Sequence, residues 1–415
     1  MGQAPGERTR LGPASSLAVC GLLLAAPVAL AQEQPWARLG GHAVAAFTTV
    51  DPVPGARRLS EVRLVQPMVA LEAGALGRLR LRATLGLEGL TIPRGELTAG
   101  AWGEGFVDRR HPHTYVHELL LTADDLLGAR DGEAALSLTA GKGFAPFGTD
   151  DPMMRPSLRY PVNHHLAQIL ERAVLIAGVR AGPVVAEGGL FNGDEPERPG
   201  QWPRIGGRFG DSWSARLIVV PQEGAELQAS HARVHSPEHR AGAGTDQVKW
   251  SLSAGWNRPA AGVPLSGLVE WARTSEADGF FVFPSLLLEG AWHPRSHRLY
   301  YRFERTERPE EERISSFRSR RPHLENSILG TTRWTIHTFG YDLGLAVAEG
   351  VALRPLVEVS AGSVRKGGGG LFEVDELYGR GKFWSVTLGV RVSAGSPMPH
   401  MGRYGAARPY RAHQH

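Results

Sequence analysis

Cysteine is nearly absent: Cys20 is the only one in 415 residues. A lone thiol excludes a disulfide-stapled scaffold and a cysteine-ligated metal site. Because it lies inside the leader described below, thiol catalysis is excluded from the mature chain as well. Lysine is scarce too, restricted to Lys142, Lys249, Lys366 and Lys382, so the formal charge of +4 is carried by arginine. Beyond residue 31 no apolar run reaches about 18 residues, which excludes a helical membrane span. Aromatics make up 8% of the chain and are not clustered among the basic residues, so no nucleic-acid surface is indicated. Charged residues at 21% and apolar residues at 42% are too balanced for a disordered polyelectrolyte. Glycine (52) and proline (29) are abundant, which disfavours helix and suits short strands joined by turns.

The N-terminus has the layout of an export signal. Arg8 and Arg10 form the positive region, Leu17 to Val28 the apolar stretch, and Ala29-Leu30-Ala31 the cleavage site. Residues 1–31 are therefore expected to be a cleaved leader. An exported chain without a helical span is either soluble or a barrel in an outer membrane, and alternation separates the two. From Arg78 to Glu88, Leu79, Leu81, Ala83, Leu85 and Leu87 share one face, with Arg78, Arg80, Arg82, Thr84, Gly86 and Glu88 on the other. Lys249–Asn257 and the last strand, with Trp384, Val386, Leu388, Val390 and Val392 in phase, repeat the device.

Sixteen strands are expected, over 40–50, 61–73, 78–91, 113–123, 133–143, 172–180, 184–192, 212–220, 225–234, 246–256, 263–273, 280–293, 298–307, 331–346, 351–364 and 382–393. Short turns alternate with long connections, the longest being 144–171. Short turns at one end, long loops at the other and an even strand count predict an all-β transmembrane antiparallel barrel over 32–394. Trp213, Trp250, Trp256, Trp292, Tyr301 and Trp384, close to turns, fit the headgroup level of outer-membrane lipid. Residues 395–415, with Pro397, Pro399, His400, His413 and His415, depart from a barrel's usual ending and are expected to be a basic, disordered tail.

Ala140-Gly141-Lys142-Gly143-Phe144-Ala145-Pro146-Phe147-Gly148, then Arg159-Tyr160, Glu171-Arg172-Ala173 and Gly189-Leu190-Phe191-Asn192-Gly193, resemble the phosphate-selective porins. The resemblance covers 139–193 and does not extend, residue by residue, to that family's phosphate-binding ladder. It implies a 16-stranded porin, usually a homotrimer, that passes anions, with 144–171 as a pore loop folded into the lumen.

The expected pore-lining set is Arg78, Arg80, Arg82, Arg298 and Arg302 on the wall, with Asp150, Asp151, Arg155, Arg159, Glu171 and Arg172 in the loop and at its exit. Fixed guanidinium charge in a narrow passage favours anions, so the expected function is passive diffusion of small anionic or polar solutes. The alternative is a binding or structural barrel with a plugged lumen, linked to metal through His111, His113 and His117; of these, His113 and His117 share a strand face, without a patterned carboxylate partner. No nucleophile elbow or phosphate loop occurs, Gly367–Gly370 lacking the following Lys-Ser/Thr. Neither an enzyme nor a cofactor is expected.

Overall fold

The computed structural model describes residues 34–53, 57–92, 113–126, 134–196, 198–260, 262–311, 313–315, 318–319, 328–370, 373–378 and 380–408. The expected leader 1–31, His111, and the last residues 409–415 with His413 and His415 lie outside these. Sixteen antiparallel strands close into one barrel. They are β1 Trp36–Val53, β2 Arg57–Ala75, β3 Leu79–Gly86, β4 Val116–Ala123, β5 Ala134–Gly143, β6 Arg172–Ala181, β7 Val184–Phe191 and β8 Ser212–Gln222. Next come β9 Ala225–Val234, β10 Gln247–Ala260, β11 Val263–Glu276, β12 Phe281–Trp292 and β13 His297–Glu311. The last three are β14 Ile328–Leu343, continued past Gly344 by Leu345–Ala348, β15 Val351–Gly370 and β16 Lys382–Gly395. Each strand pairs with the next, and β16 returns to β1 from Gly40↔Gly395 to Asp51↔Trp384. Closure leaves this sheet no free edge, which strands in lipid require.

Period-2 alternation decides which face each side chain takes. Leu121 and Leu388, each 53% exposed, point outward, whereas Thr122 and Thr387 beside them are buried within. Trp250, Leu252 and Trp256 project outward from β10, with Lys249 and Ser251 turned inward. Outside is apolar and inside is polar, the reverse of a soluble sandwich.

Three sequence expectations need correction. The alternation of connections is not strict: β1 and β2 are joined by 54–56, and β11 and β12 by 277–280, both tight at the long-loop end. In these hairpins the strands run on into residues that looked like loop, β1 and β2 reaching 18 and 19 residues. Second, β3 stops at Gly86, and Glu88–Thr91 forms one helical turn, α1, whose Glu88 Oε1 accepts the Gln66 amide at 2.8 Å. That amide needs an outside acceptor because Gln66, at φ +50°, sits where β2 slips register against β1.

Third, residues 396–408 of the tail are ordered inside the barrel, with Met401 fully buried and Tyr404 4% exposed. The tail leaves β16 at the short-turn end and turns into the lumen. There Met401 and Tyr404 join an apolar cluster with Phe144, Phe147, Ile169 and Phe191. Aromatic burial and carboxylates for its arginines outweigh the ordering entropy that made disorder the default.

At the long-loop end a second apolar cluster packs Trp334 against Val162, Val364, Tyr378 and Phe383. Trp334 Nε1 donates to Thr332 Oγ1 at 2.9 Å. Truncating this fully buried ring in Trp334→Ala should destabilise the barrel by about 3 to 5 kcal/mol. Urea unfolding followed by tryptophan fluorescence measures it, and a loss below about 1 kcal/mol would contradict the packing described.

Candidate functional site

Segment 144–171 crosses the barrel interior between β5 and β6. Its backbone has few partners of its own: one 3-10 turn at Pro152–Met154 and one helical turn at His164–Ala167, α2. The remaining amides need acceptors from the wall. Four inward-facing glutamates on the far side hold the segment, two of them by accepting its backbone amides and two through its side chains. Glu358 of β15 accepts from Leu158 N at 2.8 Å, Arg159 N at 3.2 Å and Ser157 Oγ at 2.9 Å. Glu304 of β13 accepts from Val162 N at 2.7 Å and pairs with the Arg159 guanidinium. Glu270 of β11 takes Thr149 Oγ1 and Asn163 Nδ2, and Glu289 of β12 faces Arg155 at 3.6 Å. Glu270 and Glu358 each stand between outward apolar residues, Val269 and Trp271 and Val357 and Val359, so their inward face was visible in the sequence pattern, but nothing local paired them with this loop.

The arginines singled out from the sequence are almost all matched. Arg80 meets Asp124 at 2.6 Å, Arg82 meets Glu72 at 2.8 Å, and Arg298 donates to Asp342 at 2.6 Å. Arg302 is held by Glu289 and the Arg159 carbonyl. Arg172 lies 3.8 Å from Glu195 and donates to Leu170 O. Arg78 departs from the expectation of a shared strand face: it falls in the β2–β3 turn, where its carbonyl accepts the Asp124 amide.

The inserted tail completes the interior. Arg82 donates to His400 O at 2.8 Å and Arg216 to Gly402 O at 2.9 Å. Tyr404 Oη accepts from Phe144 N and donates to Glu118 at 2.7 Å, while Arg408 reaches Asp124 at 2.6 Å. Tail and loop meet at Asp150, which takes Arg403 Nε at 2.6 Å and lies 2.7 Å from His400 Nδ1. Burial opposes the Asp150 charge, but Arg403 and His400 outweigh it and hold the carboxyl well below the usual range. Between Thr149–Ser157, β8–β13 and the tail a cavity of about 630 Å³ remains, lined among others by Asp150, Arg155, Glu226, Arg302 and Arg403.

On the other side of the loop, four imidazoles converge. His113, just before β4, stacks on His117 of β4 at 4.9 Å and lies 5.4 Å from the His164 ring of α2, with His165 adjoining. His113, His117 and His164 are at most 5% exposed. Burial, helped by His117, pulls the His113 pKa down to about 4, so this ring is neutral. Glu171 accepts from Thr114 N at 2.9 Å and lies 2.6 Å from His117 Nδ1. The sequence pointed to His113 and His117 as candidate ligands, placed His164 and His165 in the loop without linking them to these two, and missed Glu195; only the folded loop brings the group together. The sequence also placed Asp151 and Glu171 among charged pore residues, whereas both carboxylates sit buried beside this cluster.

No family model and no curated protein matches this chain. Among solved structures it is similar to an anion-selective porin from Comamonas acidovorans, with 12% identity, 87% of this chain and 100% of that one covered, and a TM-score of 0.49. OmpT of Vibrio cholerae in its trimer form overlaps with 10% identity, 88% and 100% coverage and a TM-score of 0.48. OmpF of Salmonella typhi in complex with daunomycin gives 9%, 86% and 97%, and 0.48. The functional reading rests on the chain's own geometry.

Two outcomes are expected for the docked tail. Gly405 has φ +48°, and an added Cβ would stand 2.2 Å from Ser137 Oγ, so Gly405→Val should expel the tail while leaving the barrel closed. Limited proteolysis, with heat-modifiable electrophoretic mobility as the fold control, reads this; an equally protected tail would contradict it. Asp150 is depressed in the fold, so its contribution is present above its unfolded pKa and is lost only as pH falls through the lower folded value. Acidification from about pH 7 to about pH 4.5 should therefore leave the tail protected.

Proposed function

We propose that this chain is an outer-membrane channel for passive diffusion of small hydrophilic solutes, narrowed by the loop 144–171 and by the inserted tail. The observation that carries the reading is the closed barrel with an apolar outer face and a charged interior. A bilayer demands that arrangement, because every backbone group in hydrocarbon must be paired and arginine facing lipid costs about 2 to 4 kcal/mol at midplane. The export signal read over 1–31 supports the same location. The cavity of about 630 Å³ supports a solute-sized vestibule at the short-turn end.

Selectivity is the finer part of the proposal. Arg80, Arg82, Arg155, Arg159, Arg172, Arg298 and Arg302 each face a carboxylate. Pairing cancels most of the fixed field at distances beyond a few ångströms, so the anion preference proposed is mild. A phosphate site would need guanidinium groups converging on one unoccupied point, whereas each of these faces a carboxylate of the protein.

Single-channel recording in a planar bilayer tests the reading. Wild-type protein should conduct weakly, and deleting 150–165 or truncating at 396 should each raise conductance at least about twofold by widening the passage. Under a KCl gradient, chloride should be preferred over potassium by no more than about threefold. Folded barrels silent in all three forms would reject the channel; a cation-selective reversal potential would reject the anion preference alone.

A further inference from the structure

The four-histidine cluster is not used by a diffusion channel. His113, His164 and His165 each offer a ring nitrogen within 4.8 Å of the others, and a second triad that shares His113 brings nitrogens of His113 and His117 within the same distance of a Glu171 carboxylate oxygen. His113 Nδ1 is buried and makes no hydrogen bond, while His117 Nε2 faces Asp151 Oδ2 at 3.6 Å, within ion-pair distance. Orphaned polar atoms at such depth are rare and call for a ligand or an ion. Hydrogen bonds on the opposite nitrogens orient two of the rings. Glu171 Oε1 is 2.6 Å from His117 Nδ1, and Glu195 Oε1 is 2.6 Å from His165 Nδ1. For His165 this turns Nε2, as the lone-pair donor, away from Glu195, the carboxylate–histidine arrangement that supports metal ligation, whereas His117 Nε2 faces a second carboxylate, Asp151.

We propose that His113, His164 and His165, with the His117–Glu171 pair alongside, bind a borderline divalent transition-metal ion of the Zn2+ class inside the barrel. Imidazole nitrogens with one carboxylate oxygen suit zinc or copper(II), whereas magnesium and calcium demand oxygen shells that this cluster lacks. The ligands come from the approach to β4, from β4 itself, from α2 and from the loop's exit. A bound ion therefore fastens the interior loop to the wall, and binding free energy becomes loop-ordering free energy. The proposal does not rest on the channel reading.

Equilibrium dialysis of the full, folded chain against Zn2+ after chelator treatment, with elemental analysis, tests it. About one Zn2+ per chain should be retained and not displaced by millimolar-range Mg2+ or Ca2+. His113→Ala, and His164→Gln combined with His165→Gln, should each weaken binding at least about 100-fold. The pair His297→Ala and His337→Ala, on the exposed outer surface, should leave it unchanged, as should truncation of 409–415 with its two histidines. Heat-modifiable mobility confirms that each variant barrel is folded; should His113→Ala fail to fold, His165→Gln alone, at the partly buried rim, decides with the same expected direction. Retention in the wild type no greater than in the ligand variants, or loss that follows the outer-surface pair or the tail histidines, would overturn the proposal. A barrel that conducts but holds no zinc rejects this site and spares the channel; one that binds zinc without conducting does the opposite.

Discussion

The interior of this barrel depends on four glutamates that accept what the segment 144–171 cannot satisfy for itself. An irregular chain crossing a lumen carries amides without a helix or ladder to receive them, and each one left unpaired at depth costs about 1 to 3 kcal/mol. Glu270, Glu289, Glu304 and Glu358, on four different strands, turn their carboxylates toward that segment and take its amides, hydroxyls and guanidinium groups. The exchange is mutual. A carboxylate as buried as Glu304, 1% exposed, needs Arg159 and the Val162 amide as much as they need it. Removing one member of such a buried pair costs about 3 to 5 kcal/mol, because the other charge is stranded.

The opposite wall repeats the logic with the signs reversed. From β3 to β8 the inward residues include Arg82, Arg180 and Arg216, and the tail presents them with carbonyl oxygens of His400, Ala406 and Gly402. Guanidinium groups, with five donors each, suit a peptide that has no secondary structure to absorb its carbonyls. One filler thus gives backbone N–H groups to carboxylates of its wall, and the other gives backbone C=O groups to guanidinium groups of its own, with Tyr404 and Arg408 adding bonds to Glu118 and Asp124. Asp150 and Arg403 join the two fillers where they meet.

The barrel was legible in the sequence because the boundary between lipid-like and polar surroundings imposes period 2 on every strand, whatever lies inside. Leu252 and Ser251 report their faces without knowing their neighbours. The fillers were not legible in the same way. Tyr404 meets Glu118 across 286 positions, and Arg159 meets Thr338 across 179; no periodicity carries such pairings. The tail in particular looks disordered by composition, and only inward positions made small, such as Gly143 and Gly178 facing Tyr404 and Ala406, record the space kept for it. The histidines divide similarly: His117 on β4 and His113 just before it were found by spacing, while the two on α2 join them only once the loop has folded.

Matched charge also changes what the arginines can mean. Read along the sequence, Arg80, Arg82, Arg298 and Arg302 form a positive ladder. Read across the strands, Asp124, Glu72, Asp342 and Glu289 cancel it at contact distance. A dipole's field falls faster with distance than a charge's, so a solute in the remaining cavity meets alternating local signs and little net potential. In the proposed channel, discrimination falls to the width of the passage and to the hydrogen bonds its walls can still offer. Both are set by how firmly the loop and the tail are held. On that proposal, the contacts that keep the two fillers in place also determine what can pass between them.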